Sequence, residues 1–288
     1  MTRVERRMAL RDRSSRAGEK TLMLRLGYVF AAMAAITALL LPFQWLAVKL
    51  GLPLRRRIPG LFHRMTCAIL GVRVRVIGRQ MPEHPLLIVA NHTSWLDIPV
   101  ITAVAPVVFV AKQEVAGWPL VGLLARLQRS VFVDRARRHK THHVNAEIAQ
   151  RLAEGDPVVL FGEGTSSDGN RVLPFRSALV GSARDALADA GHTGRVWIQP
   201  LSIAYTGLQG LPLCRRDRPR VAWYGDLTMG PHLAGMARHG AIDATVIWGE
   251  PIAFDEQSDR KAITRLLEAE VRRRTVLALR GRSVPGPR

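Results

Sequence analysis

A histidine and an aspartate five residues apart, His92 and Asp97, close the stretch LLIVANHTSWLD at residues 86–97. Imidazole titrates near neutrality. A carboxylate bonded to one ring nitrogen fixes the tautomer and leaves the other nitrogen to take a proton, which is the layout of a general base. On one regular helix the two residues would stand about 140° apart and never touch. If the apolar run is instead a strand ending at Asn91, and a helix starts near Thr93 or Ser94, His92 occupies the turn and folds back toward Asp97. Thr93 or Ser94 then suits the N-cap, and Asp97 meets the positive end of the helix dipole. The pair would lie beyond the carboxyl end of a strand, where open α/β sheets bind ligands. The spacing alone is common, and a helix-capping histidine beside a surface aspartate produces it too.

A turn of this kind needs a layered scaffold, and the rest of the chain supplies the pattern for one. Residues 72–78 (VRVRVIG) alternate like a strand with one solvated face, and 86–90 (LLIVA) form a short continuous apolar run. Similar runs recur at 107–112, 130–135, 157–163, 196–205, 220–226 and 244–250, with stretches of helical length between them, such as 138–153. Residues 261–280 read as a closing amphipathic helix. Strands alternating with helices predict an α/β fold with a central, largely parallel sheet flanked by helices. Two runs end in residues with chemical use, Arg135 in VFVDR and Glu163 with Gly164 in FGEGTSSDG, and Pro200 lies inside a third apolar segment, WIQPLSIAY. The cluster His139, His142 and His143 has no acidic or thiol partner beside it, so a solvated helix face is expected and no metal or cofactor. The two cysteines, Cys67 and Cys214, are far apart, which suits a reduced compartment.

The chain of 288 residues carries a formal net charge of +19. Residues 1–25 contribute +5 and residues 271–288 contribute +6, which leaves +8 for the middle. Such a field favours an anionic partner: acidic lipid, an acidic carrier protein or nucleic acid. No zinc finger or RNA-recognition motif appears, and the start of the chain points to lipid. Leu26–Val48 is 23 residues without a charge, enough for a helix of about 35 Å against a hydrocarbon core of about 30 Å. Pro42 interrupts it, and basic residues flank both ends, among them Arg25 before and Arg55, Arg56 and Arg57 after. One kinked spanning helix and a hairpin dipping into one leaflet both fit, and a buried core helix fits less well because every face is apolar. The expected organisation is a basic segment at 1–25, a membrane anchor at 26–58 with a Pro/Gly-punctuated joint at 52–60, a catalytic domain at 59–280 and a frayed tail at 281–288.

The order and spacing of Asn91-His92-x₄-Asp97, VFVDR, GEGTS (162–166) and the Pro200 segment resemble the four blocks of the glycerolipid acyltransferase family, across roughly residues 60–230. That resemblance implies acyl transfer from a thioester, on acyl carrier protein or coenzyme A, to a lysolipid hydroxyl at the bacterial inner membrane, with the domain facing the cytoplasm. It implies that His92 deprotonates the hydroxyl, that Asp97 supports the imidazolium, and that Arg135, Glu163, Gly164, Thr165 and Ser166 bind the acceptor. Oxyanion donors would be backbone N–H groups near the turn. The basic run 135–140 would dock an acidic carrier protein.

The third block departs from the family. Where an arginine is usual, this chain has Ser166, which offers a hydroxyl but no bidentate grip on phosphate. Arg171 or Arg176 would have to supply the cation, or the acceptor head carries no phosphomonoester. The stretches EGTSSDGNRVLPFRSAL (163–179), QPLSIAYTGLQGLPL (199–213) and AWYGDLTMGPHL (222–233) look like the lyso-ornithine lipid acyltransferases, whose acceptor hydroxyl lies on a 3-hydroxy fatty acid amide-linked to ornithine. Asp168 and Asp226 read as turn residues before they read as partners for the ornithine ammonium. The expected activity is therefore acylation of lyso-ornithine lipid. The alternative is a 1-acyl-sn-glycerol-3-phosphate acyltransferase. In another class altogether stands a basic membrane-binding module without catalysis.

Overall fold

The computed structural model describes residues 3–134, 141–181, 196–255 and 258–286. Helix α1 spans Arg3–Lys49 and continues through Pro42 as a single helix. After four intervening residues α2 (Leu54–Leu70) begins. The joint expected at 52–60 is thus shorter, because Pro59 sits inside α2. A proline removes the N–H that would reach the carbonyl four residues back. Here that carbonyl, Arg55 O, accepts the Gln44 side-chain amide from α1 at 3.1 Å, and the same amide donates to Leu127 O at 2.7 Å. The break in one helix has become a clamp to the other.

Beyond α2 run β1 (Val72–Ile77), β2 (Leu86–Ala90), α3 (Asp97–Val104), β3 (Val108–Lys112), α4 (Val121–Leu127), β4 (Val131–Val133), α5 (Thr141–Ala153) and β5 (Val158–Phe161). Then come β6 (Val196–Leu208), β7 (Leu211–Pro212), α6 (Met229–His239), β8 (Ile242–Trp248), β9 (Ile252–Phe254) and α7 (Arg260–Leu279). Among the described residues the strands form one sheet in the order β1-β8-β6-β2-β5-β3-β4, with β7 and β9 also paired to β6. The β1–β8, β6–β2, β2–β5, β5–β3 and β3–β4 pairs are parallel, and β6 meets β7, β8 and β9 antiparallel. The largely parallel sheet read from the sequence is present. The segment 220–226 is not a strand. Pro219 withholds an N–H, and Arg218–Arg220 make a short 3₁₀ turn in its place.

Both faces of the sheet are covered, so β2 is buried at all five positions. Leu86, Ile88 and Ala90 of β2, Phe161 of β5 and Leu201, Ile203 and Tyr205 of β6 face the layer of α2, α3 and α6. Leu87, Val89, Val158 and Leu160 face α5 and α7. Pro200 is tolerated at the middle of the sheet because β6 changes partner there, from β9 at Val196–Ile198 to β8 from Leu201 onward.

Helix α1 is the one helix among the described residues long and apolar enough to cross a bilayer, over Lys20–Lys49, and only 11% of its most apolar window is buried. That rules against the core-helix reading. Arg55 and Arg56, read as charges flanking an anchor, are engaged: Arg55 pairs with Glu154 at 3.1 Å and Arg56 with Asp156 at 2.6 Å. The buried Arg129 joins both acids, so one ion network ties the start of α2 to the end of α5.

Candidate active site

The site stands where β2 and β5 end side by side, with Ala90 in register with Phe161. Past Ala90 the chain leaves the sheet, but Asn91 extends the pairing with its side chain. Its amide donates to Ile203 O and accepts from Ile203 N, both at 2.9 Å. The turn 92–96 is then pinned on two further sides, since Ser167 N donates to His92 O and Trp223 N to Thr93 O, each at 2.9 Å.

His92 Nδ1 lies 2.8 Å from Asp97 Oδ2. The sequence placed the helix start near Thr93 or Ser94 with one of them as N-cap; in the structure α3 begins at Asp97 itself and has no side-chain cap. The reason is local. Pro99 occupies the first turn, where its missing N–H costs nothing, and the Asp97 carboxylate reaches back to accept Thr93 N–H at 2.7 Å and Ser94 N–H at 3.0 Å. Its other oxygen accepts the Tyr205 hydroxyl at 2.6 Å. Asp97 is fully buried, while the His92 side chain keeps 19% of its surface exposed. Phe161 stacks on the imidazole with ring centroids 3.9 Å apart and planes 16° from parallel. Among the described residues Nε2 has no partner. The unit is a ring with one nitrogen committed to a carboxylate, one nitrogen open and one face closed by an aromatic.

Glu163 is brought to the same turn, but its carboxylate faces the main chain. Oε1 accepts His92 N–H at 3.0 Å and Oε2 accepts Leu173 N–H at 3.1 Å. Burial pushes its pKa up to about 8 against the pull of those two N–H groups, with the nearby Asp97 charge adding to the rise. The backbone donors of His92, Thr93 and Ser94 are all consumed by Glu163 and Asp97, so none of these three is available to an oxyanion. Gly164 follows with φ +68°, a conformation that favours glycine, and a β-carbon there would crowd the Arg176 side chain at 3.1 Å. Thr165 is exposed and Ser166 half-buried on the same loop. Arg176 is held against this loop by its N–H to Gly162 O at 2.8 Å. Arg171 instead faces Asp168, whose pKa it helps to hold down.

Arg135 and His139 lie outside the described residues, as does the run 135–140 expected to dock a carrier protein, and the side chains of His142 and His143 are likewise not described. Asp168 folds onto its own turn, accepting Asn170 N at 3.0 Å, and Asp226 is an exposed turn residue, so both are the turn residues the sequence suggested. Tyr205 and Phe161 were not foreseen. Each looks like ordinary strand filler, and only strand parity combined with register places them beside Asp97 and His92.

A fold with this order and a histidine–aspartate pair at the end of a parallel strand is that of the α/β acyltransferases. The structure matches the 1-acyl-sn-glycerophosphate acyltransferase PlsC of Thermotoga maritima with a TM-score of 0.61, over 93% of this chain and all of that one, at 21% identity. The family model named Acyltransferase matches residues 73–204. A lyso-ornithine lipid O-acyltransferase of Brucella abortus is 50% identical, across 91% of this chain and 98% of its own length. One from Rhizobium meliloti is 47% identical, across 87% and 86%. The chain belongs to the acyltransferase family.

Proposed function

We propose that the protein acylates the free hydroxyl of lyso-ornithine lipid, taking the acyl group from a thioester of acyl carrier protein or coenzyme A. The observation that carries this reading is the His92–Asp97 pair with Nε2 open, in a chain half identical to a lyso-ornithine lipid O-acyltransferase over nearly its whole length. Nε2 of His92 takes the hydroxyl proton, and the alkoxide attacks the thioester carbonyl. Asp97 holds Nδ1–H and stabilises the imidazolium that results. When the tetrahedral intermediate collapses, the thiolate leaves and recovers the proton from Nε2, so the products are an ester and a free thiol. No acyl-enzyme is formed, and no nucleophilic side chain is required. The backbone N–H groups of Thr165 and Ser166, without internal partners among the described residues, face the task of holding the oxyanion.

An amide through either amine of ornithine leaves one carboxylate and one ammonium on the acceptor. Arg176 lies on Gly164 with no acid paired to it among the described residues, and meets the carboxylate. Glu163 acts beneath the loop, tying it to the turn of His92. Helix α1 serves as the anchor at an anionic bilayer surface, an insertion that its exposed Tyr28, Phe30, Leu39, Phe43 and Trp45 support, with the domain on the cytoplasmic side of the inner membrane.

The test offers purified protein and acyl carrier thioester to lyso-ornithine lipid and to lysophosphatidate in parallel. Turnover of the first, abolished by His92→Ala with membrane binding intact, supports the reading. Preference for lysophosphatidate overturns the acceptor, and no turnover of either leaves a binding module.

A further inference from the structure

We propose that Tyr205 is a positioning residue for this reaction, acting on His92 through Asp97. The inference rests on the general-base reading of His92 above. Asp97 is completely buried, so each of its oxygens depends on protein donors. Oδ2 receives three, from His92 Nδ1, Thr93 N and Ser94 N, and all three belong to one turn. Among the described residues Oδ1 receives one, the Tyr205 hydroxyl at 2.6 Å. A carboxylate held only through Oδ2 would rock with the turn it is meant to steady. Tyr205 brings a bearing from outside that turn.

That bearing is itself fixed. Tyr205 lies in β6, four residues past Leu201, the register partner of Ala90, and on the same face of the sheet. Two residues before it, Ile203 is locked to Asn91 by both backbone groups, so the span from the histidine turn to the phenol is set at its base. The ionisable groups facing the phenol are Asp97 from α3 and Cys67 from α2. Beyond Asp97 stand His92 and Glu163. Burial pushes the Cys67 thiol up to about 12 and, with Asp97, drives the phenol well above its ordinary value. Tyr205 is thus a hydrogen-bond donor throughout the working range. Its O–H draws charge away from Oδ1, so when Nε2 takes up a proton the one on Nδ1 stays on the ring.

The experiment measures kcat and KM against pH for the full chain with acyl carrier thioester and lyso-ornithine lipid. In Tyr205→Phe the carboxylate keeps more charge, the imidazolium is favoured, and the base form needs a higher pH. The acid limb of kcat/KM should therefore move up by about half a pH unit, with kcat about tenfold lower near neutrality and KM within about twofold. Site-specific 3-fluorotyrosine at 205, a stronger donor of nearly the same shape, should move the limb down, and it keeps the test decisive if the phenylalanine variant fails to fold. A uniform loss of rate with an unmoved limb in either variant overturns the positioning role while leaving the acyltransferase reading intact. A wild type that transfers nothing to any lysolipid overturns both.

Discussion

Two carboxylates are buried at the turn of His92, Asp97 on α3 and Glu163 on the loop after β5, and they are bonded differently. Both are almost wholly shielded from solvent. Glu163 is bonded by two main-chain N–H groups and nothing else among the described residues. Asp97 is bonded by an imidazole, a phenol and two main-chain N–H groups. Equal burial therefore does not mark equal function. In the proposed reaction the carboxylate wired to an imidazole and a phenol acts on the base, and the one wired to backbone holds the loop that encloses it. The pKa follows the wiring for Glu163, where burial outweighs two backbone donors and holds the group near 8.

Asp97→Asn is the harshest test of this contrast. The amide would turn an N–H₂ toward donors that need an acceptor, and would disfavour the tautomer with Nε2 open. We expect kcat to fall about 10³-fold in steady-state assays, with KM little changed. His92→Ala should match it. If Asp97→Asn were tolerated as well as Glu163→Gln, the contrast would fail.

Glu163→Gln should lower kcat only about tenfold, and it sharpens the contrast through stability. Between pH 4.5 and about 8 the folded chain holds a proton on Glu163 that the unfolded chain has released, so stability falls as pH rises through that window. Glutamine cannot titrate. Melting curves from pH 5 to 9 should therefore slope less in the variant, even though it loses an acceptor for one backbone N–H at a cost of about 1–3 kcal/mol.

Arg176→Ala is the mildest. It leaves both carboxylates untouched and should raise KM for lyso-ornithine lipid about tenfold at constant kcat. The carboxyl methyl ester of the same acceptor should show no difference between wild type and variant. Equal KM changes for both acceptors would detach Arg176 from the head group.

Much of this site could be read before the fold was known, because its parts announce themselves by type. The apolar run 86–90 with Asn91-His92 after it located the strand end, and Asp97 was paired with His92 by reach. The helix start was misplaced by three or four residues, since Thr93 and Ser94 carry the residue types of an N-cap while their N–H groups in fact serve Asp97. Glu163 was read as touching the acceptor, and nothing in a sequence distinguishes a carboxylate facing a ligand from one facing Leu173 N–H. Residues 220–226 read as another apolar strand run, but Pro219 and the Trp223 N–H to Thr93 O turn them into a brace for the site. Tyr205 could not be read at all. Its place beside Asp97 depends on β6 outrunning β2, a matter of strand register that no local spacing encodes.

The short span between α1 and α2 has a consequence for how the acceptor arrives. Only residues 50–53 separate the two helices, and Gln44 bolts one to the other. With α1 embedded as proposed, the turn of His92 would be carried at a set height above the lipid, like a tool on a short shaft. Encounters would then become a two-dimensional search, with the depth of the acceptor hydroxyl in the bilayer deciding how readily it meets the ring.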